Sequence, residues 1–166
     1  DMNAGLFGVI GEEAAIRNVT LEGVNVVVPT RGGGLAGTNR GAILNSEVSS
    51  NTLDFGDFRD NSDHSVLGGL VGLNSGSIEN STASMDIDGE NRIGGLVGGN
   101  DGSIQNSDAT GGLSGSERVG GLAGSSSGTV ENSEADVSIE FGERTGGLVG
   151  FNEGSITGSQ ASGSLS

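Results

Sequence analysis

The feature that most constrains this chain is a sequence unit that recurs every 26 residues. Four glycine doublets keep this spacing, and each opens a G-G-L-[VA]-G motif that is followed by a G-[ST]-[IV] triplet and, in most copies, by Asn-Ser. A fixed period of this length indicates one supersecondary unit stacked on copies of itself. Because each copy needs its neighbours to bury its apolar side, the repeat decides the fold class. The doublets are Gly68-Gly69, Gly94-Gly95, Gly120-Gly121 and Gly146-Gly147.

Six copies of the unit can be aligned, and they predict a single repeat domain over residues 1–166. The second interval is longer than the others, and its extra residues fall mainly within Leu53 to Val66, which we interpret as a loop insertion in the stack. The chain starts at Asp1 with no signal segment and ends in a serine-rich stretch, so we expect it to be a piece of a longer protein. The copies begin near Ala4, Gly33, Gly68, Gly94, Gly120 and Gly146.

The residue pattern of each unit predicts one coil of a parallel β-solenoid with three short strands. The first strand carries a leucine column, the second an isoleucine column, and the third alternates strictly, as in the stretch Ala83–Asp88. Period two with apolar residues on one face and acids on the other is typical of a half-buried strand. We therefore predict an all-β fold of about six coils, right-handed by the general preference for right-handed crossovers.

Two asparagine columns are expected to have different roles. The first lies two residues before a glycine, as at Asn74 and Gly76, and predicts a turn because both residue types tolerate positive φ. The second lies two residues after the isoleucines, so strand alternation places it inside. Buried amides must be hydrogen-bonded, and the same amide in the next coil would be the partner. The predicted structural ladder is Asn18, Asn45, Asn80, Asn106 and Asn132.

The inward position also bears on two glycosylation sequons. Asn18-Val19-Thr20 and Asn80-Ser81-Thr82 both match the acceptor pattern. Because both asparagines are expected inside, we interpret these sequons as accidental products of the repeat.

Composition excludes several classes of function. The formal net charge is −15 and all seven basic residues are arginine, so the surface repels nucleic acid and anionic membranes. The excess carboxylates are interpreted first as a solvated surface adapted to high salt, and alternatively as calcium ligands. The lack of cysteine excludes disulfides and thiolate metal sites. No apolar run reaches the roughly 18 residues of a membrane span.

Four arginines occupy one column, two residues before the glycine doublet. One interpretation is a basic stripe that binds an anionic glycan. The other, which we favour at this point, is a guanidinium–carboxylate ladder in which neighbouring glutamates relieve the repulsion. The arginines are Arg31, Arg92, Arg118 and Arg144, and the glutamates are Glu90, Glu117 and Glu143.

The insertion contains aspartates at intervals of three, which makes it a candidate calcium loop. Calcium takes six to eight hard oxygen ligands, but the spacing matches neither an EF-hand nor a glycine-aspartate nonapeptide. The alternative is an acidic solvated loop held by Phe55 and Phe58. His64, the only histidine, has no partners for a zinc site or a triad and is interpreted as an exposed loop residue. The candidate ligands are Asp54, Asp57, Asp60 and Asp63.

The unit G-G-L-V-G-x-N…G-S-I-x-N-S resembles the GLUG repeat, and the resemblance runs from Ala4–Gly8 to Gly147–Gly150. It implies a place in large secreted or surface-attached microbial proteins, including haemagglutinin-like adhesins and an immunoglobulin-A-cleaving peptidase. In that peptidase the repeats are accessory to a separate catalytic domain. The resemblance brings no catalytic residues to this chain, and a shared fold does not fix a ligand.

Together these observations predict a non-catalytic structural or adhesive module at an extracellular or cell-surface location, with no cofactor apart from the candidate calcium. Its partners would be neighbouring repeats or subunits, or a cell-surface or matrix glycan or protein. The alternative is a glycan-binding or glycan-cleaving β-solenoid, since paired carboxylates can do acid–base work. The chain lacks the lysine, tryptophan and tyrosine that such enzymes use to hold sugar. The insertion Leu53 to Val66 is the best candidate contact, because loops on a regular scaffold commonly carry recognition.

Overall fold

The computed structural model describes residues 2–23, 25–27, 30–54, 65–140 and 142–166. Within these residues the chain forms 25 β-strands and no helix. The predicted all-β class is therefore confirmed. No helix that could cross a membrane occurs in this part of the chain.

The strands follow one another along six coils. Those of the first three coils are β1 (Asn3–Ala4), β2 (Phe7–Ile10), β3 (Ala15–Arg17), β4 (Thr20–Glu22), β5 (Val26–Val27), β6 (Arg31–Gly33), β7 (Ala36–Asn39), β8 (Ala42–Leu44), β9 (Glu47–Asp54), β10 (Val66–Gly68), β11 (Val71–Asn74), β12 (Ser77–Glu79) and β13 (Thr82–Asp88). Those of the last three are β14 (Arg92–Gly94), β15 (Val97–Asn100), β16 (Ser103–Gln105), β17 (Asp108–Ser114), β18 (Arg118–Gly120), β19 (Ala123–Ser126), β20 (Thr129–Glu131), β21 (Glu134–Glu140), β22 (Arg144–Gly146), β23 (Val149–Asn152), β24 (Ser155–Thr157) and β25 (Gln160–Leu165).

Every coil contributes one strand to each of four parallel sheets, which confirms the β-solenoid. The first sheet has the order β1-β6-β10-β14-β18-β22, and the second has the order β2-β7-β11-β15-β19-β23. The third contains β3-β8-β12-β16-β20-β24 and the fourth β4-β9-β13-β17-β21-β25, with β5 paired to β9. At the usual strand separation of about 4.8 Å, six coils make a stack about 29 Å long.

The prediction of three strands per coil is wrong, because every coil has four strands, one in each sheet, and the first coil also has β5. The leucine column, assigned to the first strand, lies in a corner between two strands: β10 ends at Gly68, Gly69 and Leu70 form the corner, and β11 starts at Val71. Leu70 is fully buried there. The glycine doublet divides what the sequence pattern shows as one extended segment.

The G-G-L-[VA]-G motif is a packing requirement at this corner. A Cβ atom on Gly94 would lie 2.8 Å from the Cα atom of Ala123 in the next coil, and one on Gly98 would lie 2.7 Å from the backbone nitrogen of Leu67 in the preceding coil. Real Cβ atoms are not found so close to backbone. Glycine at both ends of the motif therefore lets the first and second sheets approach to backbone contact.

The third and fourth sheets close the core as their sequence pattern predicts. The isoleucine column is fully buried from the second to the fifth coil, as at Ile78 and Ile104. In β13, Ala83, Met85 and Ile87 are buried, while the residues between them are exposed. The inward and outward faces of the third predicted strand are thus confirmed in the fourth sheet.

The insertion is narrower than the predicted Leu53 to Val66. Leu53 belongs to β9, where its partner is Ile87, and Val66 is the first residue of β10. A register shift opposite Ser84 and Asp86 absorbs part of the extra length as a β-bulge in β9. Residues 55–64 lie outside the described residues.

Candidate functional site

The predicted inward position of the asparagine ladder is wrong, although Asn45 Nδ2 donates to Asn18 Oδ1 at 3.5 Å on the outside of the stack. The five members of this ladder have φ angles between 48° and 56° and are exposed. The strand of the third sheet ends one residue before each of them, as β12 ends at Glu79. The chain then turns, so the alternation that would have placed these side chains inside does not continue. The residues whose predicted position is corrected are Asn18, Asn45, Asn80, Asn106 and Asn132. In the last coil Gly158, with φ of 63°, occupies the same position.

The column interpreted as a turn forms the buried ladder instead. Asn39 Nδ2 donates to Asn74 Oδ1 at 2.8 Å, and Asn74 Nδ2 donates to Asn100 Oδ1 at 2.9 Å. Asn100 Nδ2 then donates to Ser126 Oγ at 3.2 Å. These four side chains are buried, and none of the asparagines has positive φ. A carboxamide can donate and accept in the same direction along the stack, so identical residues satisfy one another.

A second buried ladder, which sequence reasoning missed, is built from the serine that, from the second coil onward, follows the positive-φ residue of the exposed column, as Ser81 follows Asn80. The backbone N–H of Ser81 donates to Ser107 Oγ at 3.2 Å, and that hydroxyl donates to the Gln105 carbonyl at 2.8 Å. The backbone N–H of Ser107 donates in turn to Ser133 Oγ at 3.1 Å. The signal was the recurring Asn-Ser pair. The column comprises Ser46, Ser81, Ser107, Ser133 and Ser159.

Ser107→Ala is expected to lower the free energy of unfolding by about 1–2 kcal/mol, because the buried N–H of Ser81 and the Gln105 carbonyl each lose a partner. Ser84→Ala, at an exposed position of β13, is the matched control and should change stability by less than about 0.5 kcal/mol. Denaturant titration of both variants measures the difference. Equal effects would contradict the assignment of these two faces.

The exposed asparagines change the interpretation of the two sequons. Asn18 and Asn80 are both exposed. The prediction that these two asparagines lie inside is therefore wrong, and it no longer supports the interpretation of the sequons as accidental.

An arginine is the first residue of four of the six first-sheet strands, β6, β14, β18 and β22, so the column is not continuous. Arg92 is in register with Arg118, and Arg118 with Arg144. Val66 lies between Arg31 and Arg92 in the sheet. The structure therefore brings together Arg92, Arg118 and Arg144, which we call the arginine strip.

The favoured guanidinium–carboxylate ladder does not form at the arginine strip. No ion pair joins its three guanidinium groups to a carboxylate of the described residues. The Nε atoms of Arg92 and Arg118 are buried and have no hydrogen-bond partner among those residues. Burial, and then the charge of Arg118, lower the pKa of Arg92, while Asp101 and Glu117 act in the opposite direction. The repulsion between neighbouring arginines is therefore only partly relieved by carboxylates.

The strip is packed against a column of the second sheet. The guanidinium carbon of Arg118 lies 5.0 Å from the ring centroid of Phe151, and that of Arg144 lies 5.7 Å from it. These are cation–π distances. Phe151 is aligned with Ser125, and Ser125 with Gly99, and a Cβ on Gly99 would lie 3.7 Å from Arg92 Nη1. Sequence reasoning missed Phe151, because its nearness to Arg118 depends on the corner between the first two sheets.

The calcium site remains a prediction. Asp57, Asp60, Asp63 and His64 lie outside the described residues, and only the backbone of Asp54, in register with Asp88, is described. In the part of the chain that the structure describes, no group of three or more histidine, cysteine, aspartate or glutamate side chains could hold a metal ion.

Comparison with known proteins identifies three of the coils. The profile described as the GLUG motif matches residues 63–88, 89–114 and 141–166. The second and third of these segments begin just before a first-sheet strand, at β14 and β22, and each of the three ends with or just after a fourth-sheet strand. No curated protein and no solved structure matches the chain significantly.

Proposed function

Because three of its coils match the GLUG motif, the chain belongs to the GLUG-repeat family, and we propose that it is a non-catalytic structural and adhesive module of a secreted or cell-surface microbial protein. Its role would be that of a stalk or spacer that holds binding surfaces away from a cell. The observation that carries this proposal is the stacking of all six coils in register through four sheets.

The inner positions of the coils are used for stacking. Leucine, isoleucine, asparagine and serine columns each contact their own copies in the neighbouring coils. In such an array each unit is stabilised by its nearest neighbours, so length can be changed by adding units. The outward positions of the fourth sheet, such as Asp86 and Asp136, are exposed. This division of positions suits a spacer whose surface carries the contacts.

The insertion between β9 and β10 is part of this proposal. The sequence predicts that it interrupts a regular scaffold, and loops in that position commonly carry recognition. We propose it as a contact with a cell-surface or matrix partner, alongside the arginine strip.

Insertion of one extra coil tests the scaffold role. A second copy of residues 89–114 placed after Ser114 should give a folded chain that is longer by about 4.8 Å, with an unchanged or higher melting temperature. A copy of residues 89–101 alone puts the ladders out of phase and should lower the melting temperature by roughly 10 °C. Small-angle scattering and thermal unfolding measure both. Equal losses from the two insertions would contradict a modular spacer.

The location and the lack of catalysis need separate measurements. An antibody against the chain should label unpermeabilised cells that produce the full-length protein. Incubation of the chain with a panel of polysaccharides should release no new reducing ends. Labelling only after permeabilisation would contradict the surface location, and steady release of reducing ends would contradict a non-catalytic role.

A further inference from the structure

We propose that the arginine strip, Arg92, Arg118 and Arg144, binds the carboxylate groups of an extended acidic polysaccharide. This inference deepens the adhesive role proposed above by naming the ligand class and the residues that bind it. It rests on the register, charge and unpaired donors of the strip.

The register places three guanidinium groups on successive coils. Arg92, Arg118 and Arg144 pair strand to strand in the first sheet, so their Cα atoms are about 4.8 Å apart along the stack. The strip therefore presents positive charge along a line about 10 Å long. A linear ligand that runs parallel to the stack can place several anionic groups against it at once.

The charge of the strip is available because the protein does not neutralise it. No carboxylate of the described residues forms an ion pair with these arginines. Two buried Nε atoms, of Arg92 and Arg118, have no acceptor among the described residues. Because both Nε atoms are buried, a ligand would meet the terminal Nη groups of these arginines, which are hydrogen-bond donors. Carboxylates suit this position, because a guanidinium edge binds both oxygens in parallel.

The packing of the strip holds the guanidinium groups in place. Arg118 and Arg144 both lie against the ring of Phe151, which limits their rotamer freedom before a ligand arrives. Beside Arg92 the second sheet has Gly99, and a Cβ atom at that position would lie 3.7 Å from Arg92 Nη1. A preorganised donor loses less conformational entropy on binding than a mobile one.

The overall charge selects among polyanions. The chain carries a formal net charge of −15, so a densely charged polymer such as nucleic acid is repelled by most of the surface. A polysaccharide whose carboxylates are spaced apart can pair with the arginines of the strip and still bring little negative charge near the acidic faces of the protein. The observations therefore favour an acidic polysaccharide over a polynucleotide.

Binding of oligogalacturonate to the whole chain tests the proposal, with calorimetry at low salt as the measurement and a neutral oligosaccharide of equal length as the control ligand. We expect saturable binding of the acidic sugar alone, weakened by added salt because the contacts are between charges. Arg118→Gln should weaken it by at least about tenfold. Arg17→Gln removes the same charge from an exposed position of the third sheet and should leave the affinity unchanged.

Two further measurements keep the test decisive. If Arg118→Gln lowers the melting temperature, Arg144→Gln is used as the test variant instead, because Arg144 is exposed. It should weaken binding of the acidic sugar by a similar factor. Single-stranded DNA should bind more weakly than the acidic sugar. No binding, equal losses from Arg17→Gln and Arg118→Gln, or tighter binding of DNA would each overturn the proposal. The coil-insertion result is independent of all three, so the scaffold role stands or fails separately.

Discussion

Gly94→Ala is expected to lower the free energy of unfolding by about 4 kcal/mol or more. The added Cβ would overlap the Val97 carbonyl oxygen and would lie 2.8 Å from the Cα atom of Ala123. These neighbours are backbone atoms of two coils, so no side-chain rotation can relieve the contact. The first and second sheets would have to separate, and the fully buried Val97 and Leu96 beside the corner would lose packing. Thermal and urea unfolding measure the loss.

Gly11→Ala is the matched control for this prediction. A Cβ atom on Gly11 would have no neighbour within 4 Å, and its φ is not positive. The same chemical change should therefore alter stability by less than about 1 kcal/mol in either direction. If Gly94→Ala is tolerated as well as Gly11→Ala, the close approach of the two sheets is not a feature of the folded protein.

Asn74→Ala should be the most harmful substitution in either asparagine column, with a loss of about 3 kcal/mol. Asn74 accepts a hydrogen bond from Asn39 at 2.8 Å and donates one to Asn100 at 2.9 Å. Its amide also donates to the carbonyls of Gly76 and Ser103, each at 3.3 Å. Truncation breaks the ladder in the middle, because Asn39 Nδ2 and Asn100 Oδ1, which lie in the two neighbouring coils, each lose their hydrogen bond to Asn74.

The exposed column provides the comparison. Asn106→Ala should cost about 1 kcal/mol, because alanine adopts the left-handed conformation less readily than asparagine. Asn106→Gly should be near neutral, since Gly158 already occupies this turn with φ of 63°. Denaturant titration of the three variants gives the order directly. A larger loss for Asn106→Ala than for Asn74→Ala would restore the ladder that the sequence pattern indicates.

Much of the fold follows from the sequence, because stacking repeats the same contacts in every coil. The 26-residue period predicts the parallel solenoid and the number of coils. The strict alternation of Ala83–Asp88 predicts which side chains of the fourth sheet are buried. Alternation is a reliable guide there because the strand is long and unbroken, so every second side chain must face the same way.

The candidate site was less predictable from the sequence than the fold. The arginine column is visible in the sequence, but whether Glu90, Glu117 or Glu143 pairs with it depends on side-chain directions at the corner. The structure leaves Arg92, Arg118 and Arg144 without ion pairs to described carboxylates and places Phe151 against two of them. Val66 interrupts the column because the third coil has valine two residues before its glycine doublet, which the sequence itself shows.

The sequence by itself determined the repeat, the parallel stacking, the isoleucine core and the faces of the longest strands. Only the tertiary structure decided where each coil turns, and hence that Asn74 is inside and Asn80 is outside. The physical reason is that alternation is a local property of an unbroken strand. The ends of short strands depend on backbone contacts with residues about 26 positions away. Gly68 and Gly69 end a strand because the next coil lies within backbone contact of them.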